Sequence, residues 1–309
     1  MISLKQLKSD FKEGKTSKAD YIDKIHEIHK YLFEYADFIK NTDVSKIEIV
    51  KDAVVMTLAT TGSKIICNKN DKRTSAVEVL NFDCVEKPEL NMIKNLVKEN
   101  SVILDIGANI GWYSMNLPKL IPNVQIYSFE PVPETFDYLR QNIEINNLEN
   151  IKIFNFGFYD KEEIIPVNYY PEYTCATSIA KLSKTNKVHS IPCNFRKLDN
   201  FINENNLKID FIKCDTEGSE IFVFQGGLET LKNQKPIIFT EMLRKWAAKF
   251  NYHPNDMIKL FNDIGYKCFR INDDYLLEII LITEETPETN FFFLPEERKS
   301  LFKNLLLVN

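Results

Sequence analysis

The sequence predicts an α/β protein, a doubly wound and mostly parallel sheet of seven strands with helices on both faces and a helical extension at its N-terminus. Three observations predict this. From about residue 101 to 271, apolar runs of strand length alternate with helical patterns, which implies parallel strands joined by crossover helices. The run Val102–Ile106 breaks into Gly107-Ala108-Asn109-Ile110-Gly111 before a helix begins, a glycine-bearing strand-to-helix turn. Asp105, Glu130, Asp215 and Glu241 all fall at the carboxyl ends of strand-like runs, the edge at which parallel sheets bind ligands.

Taken in order, residues 1–46 read as helices. In "YIDKIHEIHKYLFEYADFIK", Ile22, Ile25, Ile28, Leu32 and Tyr35 fall on one stripe, with charges opposite. His26 and His29 are three apart on this helix, but no third metal ligand accompanies them, and a solvated face accounts for them. Residues 47–100 read as a hairpin over 47–68 turned at Thr61-Gly62, then a short amphipathic helix from 87 to 100. Residues 101–309 form the main domain. Its strands are expected at 102–106, 124–130, 151–156, 209–214, 236–241, 267–271 and 290–294, with irregular β structure up to about 193. Its helices are expected near 111–119, 133–146, 219–232 and 254–264, and over "RKLDNFINENN".

Composition narrows the function. The chain has 309 residues, 44% of them hydrophobic and 27% charged, with a net charge of −5. That balance suits a globular protein and does not match nucleic acid or an anionic membrane electrostatically. The longest apolar runs are too short to span a bilayer. No secretory pattern opens the sequence, and no two of the six cysteines form a CxxC pair, so reduced thiols and a cytoplasmic location are expected.

The turn itself suggests a ligand. Its glycines are spaced Gly107-x-x-x-Gly111, unlike the G-x-G-x-x-G dinucleotide fingerprint, which disfavours a dehydrogenase. Trp112-Tyr113 follows where a phosphate cradle would carry Lys and Ser or Thr. Glu130 ends the next strand, where an acid receives ribose hydroxyls. These features indicate a nucleoside without a pyrophosphate.

The stretches "VILDIGANIGWYS", "SFEPVPETFDYLRQNIEINN", "LDNFI", "IDFIKCDTEGSEIFVFQGG" and "KPIIFTEM" together resemble the FkbM-type family of S-adenosylmethionine-dependent methyltransferases, over about residues 85–245. The resemblance implies a Rossmann-like methyltransferase fold and S-adenosylmethionine as cofactor. By the same resemblance, Gly107, Ala108, Asn109 and Gly111 would line its methionine part, Asp105 would anchor that region and Glu130 would hold the ribose. Phe158 and Asp160, in "NFGFYD", would meet the adenine. For Asp160, a hairpin turn is an equal reading.

Methyl transfer to a hydroxyl needs alignment and a group that takes the proton, or a metal that lowers the hydroxyl's pKa. Alternation along an extended strand puts Lys213, Asp215 and Glu217 on one side, making them the catalytic candidates. A structural ion pair and a helix start are the competing account. His253 is a further candidate base. Asp215 and Glu241, on neighbouring strand ends, could share Mg²⁺, which accepts carboxylates and water. The expected activity is O-methylation of a sugar, glycan precursor or secondary metabolite. N-methylation and a non-catalytic nucleoside-binding module are the alternatives.

Overall fold

The computed structural model describes residues 3–182 and 187–307. Three N-terminal helices, α1 (Leu4–Lys12), α2 (Lys18–His29) and α3 (Tyr31–Phe38), lead into a small antiparallel sheet of β1 (Val44–Ile49), β2 (Val54–Leu58) and β3 (Lys64–Ile66). Ser3 and Ser17 cap α1 and α2 by accepting the Gln6 and Asp20 amides, both at 3.1 Å. The apolar stripe expected here is split at Lys30, and neither α2 nor α3 buries a residue. The single hairpin expected over 47–68 is a three-stranded meander. Its first turn, closed by the Val50 amide on the Ala53 carbonyl, lacks the glycine that marks the second.

Helices α4 (Ser75–Phe82) and α5 (Lys87–Leu96) connect to the main sheet. Its first half is β4 (Val102–Ile106), α6 (Trp112–Leu120), β5 (Gln125–Phe129), α7 (Pro133–Ile145) and β6 (Ile151–Phe154). A satellite sheet follows, of β7 (Gly157–Phe158), β8 (Glu163–Tyr169) and β9 (His189–Arg196), in the order β7-β9-β8. The second half is α8 (Leu198–Glu204), β10 (Phe211–Cys214), α9 (Glu220–Gln225), α10 (Leu228–Gln234), β11 (Ile237–Glu241), α11 (Arg244–Ala247), α12 (Pro254–Asp263), β12 (Tyr266–Asn272), β13 (Tyr275–Glu278) and β14 (Asn290–Pro295).

The main sheet runs β13-β12-β14-β11-β10-β4-β5-β6. Strands β11, β10, β4, β5 and β6 pair in parallel, and β14, β12 and β13 add antiparallel to the β11 side. It therefore has eight strands, one more than expected. The extra strand, β13, returns from β12 through a tight turn in which Asp273 takes φ 52°. Alternate residues of the central strands feed two cores. Ile103, Phe211 and Phe239 pack on one face, Leu104, Ile212 and Ile238 on the other. Burial on both faces explains why these strands read as continuous apolar runs. The expected helix over 219–232 is two helices, broken at Gly226 and Gly227. A side chain at Gly226 would sit 2.2 Å from the Tyr159 carbonyl oxygen, and one at Gly227 2.6 Å from Leu198. No helix among the described residues is long and apolar enough to cross a membrane.

Candidate active site

A cavity of about 430 Å³ opens along the carboxyl ends of the parallel strands, within the size range of small-molecule sites. One end is built by the turn after β4. Gly107 adopts φ 70°, and a Cβ there would lie 1.8 Å from the Asp215 carbonyl oxygen. Gly111, at φ 95°, would place one 2.7 Å from Leu139. Both glycines are thus required by neighbouring protein and by backbone conformation. Asn109 holds the left-handed φ 50° without being glycine. Its amide donates to Glu130 Oε2 at 3.1 Å, and the Val132 amide donates to Oε1 at 3.0 Å. Glu130 is 6% exposed. Burial pushes its carboxyl up to about 7, against the pull of those two amides. Each oxygen holds one amide, so each keeps lone-pair capacity for a ligand hydroxyl.

The other end is acidic. Oxygens of Asp215, Glu217 and Glu241 lie within 4.8 Å of one another. Burial, followed by the charge of Asp215, raises Glu217 and Glu241 well above the usual carboxylate range. Glu86, at the start of α5, joins them, and burial and Asp215 raise it to about 7. The Asp215–Ser219 turn depends on Glu220. Its Oε1 accepts the Thr216 amide at 2.8 Å and the Gly218 amide at 3.0 Å, which lets Glu217 hold φ 53°. The Tyr252 hydroxyl donates to Oε2 at 3.3 Å.

Lys213 lies beneath both ends. Its Nζ donates to the Gly107 carbonyl at 2.7 Å and lies 3.4 Å from Asp105 and 3.9 Å from Asp215. Burial lowers the affinity of Lys213 for its proton, but Asp105, Asp215 and Glu86 more than offset this, so the ammonium is held above its ordinary value. Lys213 therefore stays charged, fixing the first turn to the acidic end.

The cavity brings together Gly107, Ala108, Asn109, Glu130 and Phe158 with Lys213, Asp215, Glu217 and Glu241. Four other residues singled out in the sequence lie off its wall. Asp105 is fully buried beneath the turn, accepting from the Ser114 hydroxyl at 2.6 Å. Gly111 starts α6. Asp160 packs where the Gly226 backbone approaches it. His253 is exposed and caps α12, its Nδ1 accepting the Asn255 amide at 3.2 Å. Sequence reasoning missed Glu86 and Glu220. Glu86 precedes Lys87-Pro88, a helix-start signal that gives no hint of a cavity. Glu220 carried a readable signal, because it follows a glycine-containing turn at the start of a helix.

The model of the family described as Methyltransferase FkbM domain matches residues 105–268, which takes in most of the cavity's lining and leaves out Arg73, Thr74, Ser75, Glu78, Val85 and Glu86. The chain belongs to the FkbM methyltransferase family. Among curated relatives, 2-O-methyltransferase NoeI of Sinorhizobium fredii is 30% identical over 171 residues, covering 50% of this chain and 68% of that protein. Methyltransferase 1 of Beauveria bassiana is 25% identical over 146 residues, 41% of this chain. The matches span 59% of the length of Methyltransferase 1 and 60% of Methyltransferase sdnD of Sordaria araneosa. Methyltransferase FkbM from Methylobacillus flagellatus, a solved structure, aligns over 73% of this chain and 56% of its own, at 17% identity and a TM-score of 0.44.

The donor that the family implies is S-adenosylmethionine, and the residues fit it. The half-satisfied Glu130 carboxylate suits a ribose diol, which offers two hydroxyl donors. Gly107–Asn109 present backbone on one side of the same end, with Phe158 nearby on the wall.

Proposed function

We propose that the protein is an S-adenosylmethionine-dependent O-methyltransferase acting on a hydroxyl of a sugar, glycan precursor or secondary metabolite. The observation that carries this reading is the clustering of Asp215, Glu217 and Glu241 in the same cavity as Glu130 and the Gly107–Asn109 turn. Binding a nucleoside would not require three converging carboxylates; removing a proton from an alkyl hydroxyl would use them. When bound, S-adenosylmethionine supplies an electrophilic methyl group on a sulfonium. Glu130 and the Gly107–Asn109 backbone orient the donor. The acidic cluster holds the acceptor hydroxyl and takes its proton as the carbon–oxygen bond forms. Burial and the charge of Asp215 raise Glu217 and Glu241 above the usual carboxylate range, so either of them, when ionised, takes a proton more readily than an ordinary carboxylate. The same three oxygens form a donor set suited to Mg²⁺. The acidic surroundings favour a neutral or cationic acceptor over a phosphorylated one.

The test is label transfer from S-adenosylmethionine to a panel of neutral, amino and phosphorylated sugars, read by mass spectrometry with and without chelator. Asp215→Asn should lower turnover by about 10²–10⁴-fold with product affinity nearly intact. Activity lost to chelator and restored by Mg²⁺ would assign the cluster to a metal. Activity indifferent to chelator would assign it to proton removal. Full activity of Asp215→Asn in chelator would refute both.

A further inference from the structure

The wall between the two ends of the cavity comes from outside the core of the fold. Residues 174–178, on the long connection between β8 and β9, line the cavity. At one end of this segment, Thr174 Oγ1 lies 3.5 Å from Asn109 Oδ1, and the Asn109 amide holds Glu130. At the other, the Ser178 hydroxyl donates to the Glu217 carbonyl at 2.7 Å. One short segment thus touches both the turn assigned to the donor and the turn assigned to proton removal.

What ties the segment down lies well before residue 105, where the family domain begins. Asp71, in the loop between β3 and α4, is 4% exposed, as is Thr174. Its Oδ1 accepts the Arg73 amide at 2.9 Å. Its Oδ2 accepts the Thr174 amide at 3.1 Å and also the Thr174 hydroxyl. Beside it, the Lys72 amide donates to the Glu172 carbonyl at 3.0 Å, and Lys72 Nζ pairs with Glu172 Oε2 at 2.7 Å. Arg73 and Thr74, next in the loop, line the cavity themselves. A buried carboxylate held by amides and a hydroxyl makes strong, directional bonds, and losing one leaves a buried group unpaired.

We infer that Asp71 is a positioning residue for the methyl donor: through Thr174 it latches the 174–178 wall across the cavity, and bound donor or product leaves only when this latch opens. The inference rests on the reading that the cavity takes S-adenosylmethionine. Lys72–Glu172 reinforces the latch at the surface, where an ion pair contributes little by itself. The buried Asp71–Thr174 contact is therefore the one that governs release.

Both of the chain's tryptophans, Trp112 and Trp246, line the cavity, so intrinsic fluorescence can follow binding. The experiment is stopped-flow fluorescence of the full chain with S-adenosylhomocysteine, on wild type, Asp71→Asn, Thr174→Val and Thr174→Ser. The expected result is a dissociation rate at least about tenfold faster in Asp71→Asn and Thr174→Val, with association no slower. Thr174→Ser, which keeps the hydroxyl, should match wild type. A merely structural role would lower the melting temperature of the unliganded protein and leave dissociation unchanged. Dissociation within about twofold of wild type in folded variants would overturn the latch. Hydrogen exchange on wild type decides the matter if the variants do not fold. The product should protect 71–74 and 174–178 together, and protection of 107–111 without 71–74 would refute the proposal. Absence of any fluorescence change or protection in wild type would remove the cofactor reading itself, and the latch with it.

Discussion

Glu130 makes the donor site sensitive to pH in a direction that can be worked out. Its carboxyl is raised by burial from the ordinary glutamate value of about 4.5 to about 7. The folded protein therefore binds this proton more tightly than the unfolded chain. The contribution of Glu130 to stability is greatest below about 4.5 and declines as pH rises to about 7, by ~3 kcal/mol over that window. A ribose diol reverses the preference, because two hydroxyl donors favour the ionised carboxylate. Affinity for S-adenosylhomocysteine should then rise with pH and level off above about 7. At pH 5.5 the carboxylate is mostly protonated, and affinity should be about 30-fold lower than on the plateau. Glu130→Gln cannot ionise, so its profile should lose this slope. On the plateau it should bind ~1.5–3 kcal/mol more weakly, the scale of a hydrogen bond to a charged group. It should also lose stability, since its NH₂ group would face one of the two backbone amides. Calorimetry from pH 5.5 to 7.5 is the assay, with Glu86→Gln as control, because Glu86 is raised to about the same value at the acidic end. A flat wild-type profile, or an unchanged slope in Glu130→Gln, would refute the reasoning.

Other outcomes follow from the same geometry. Gly107→Ala should destabilise the fold by at least ~2 kcal/mol, because the new methyl meets the Asp215 carbonyl and the backbone is left-handed; an unchanged melting temperature would contradict the packing. His253→Ala should cost about 1 kcal/mol through the lost cap on α12 and leave methyl transfer intact, whereas a large fall in turnover at constant stability would restore His253 as a base. Glu220→Ala should release the Asp215–Ser219 turn and depress turnover more than product affinity, which single-turnover and binding measurements on the same sample would separate.

Parts of the site were readable because a parallel sheet makes position along a strand meaningful. Asp215, Glu130 and Glu241 follow or end apolar runs, and the strand order brings them to one edge. Gly107 and Gly111 mark a turn that the family resemblance sets against the cofactor, and their missing side chains also make room for Asp215 and Leu139. Sequence shows that a glycine is needed without showing what approaches it. His253 looked available because a loop histidine before a helix reads alike as a base or a cap. The α2–α3 stripe followed helical period faithfully, but period predicts which residues share a face, and burial requires a partner for that face. Glu86 and Asp71 lie among residues whose local pattern speaks only of a helix start or a loop. Glu86 lies on the cavity wall near Asp215, and Asp71 acts on that wall through Thr174, 103 residues later; a local pattern carries no trace of contacts at such separations.

The placement of β14 has a consequence for assembly. It lies between β11 and β12, so the β12–β13 hairpin joins the sheet only through Asn290–Pro295. Until that strand is added, β11 presents an unpaired edge whose apolar residues and backbone groups can pair with another chain. A nascent chain that has emerged only as far as residue 280 would have the acids of the cavity in its sequence and an unfinished sheet beneath them. Slow synthesis or truncation in this interval should therefore favour aggregation, and the last strand to arrive completes the edge on which Glu241 stands.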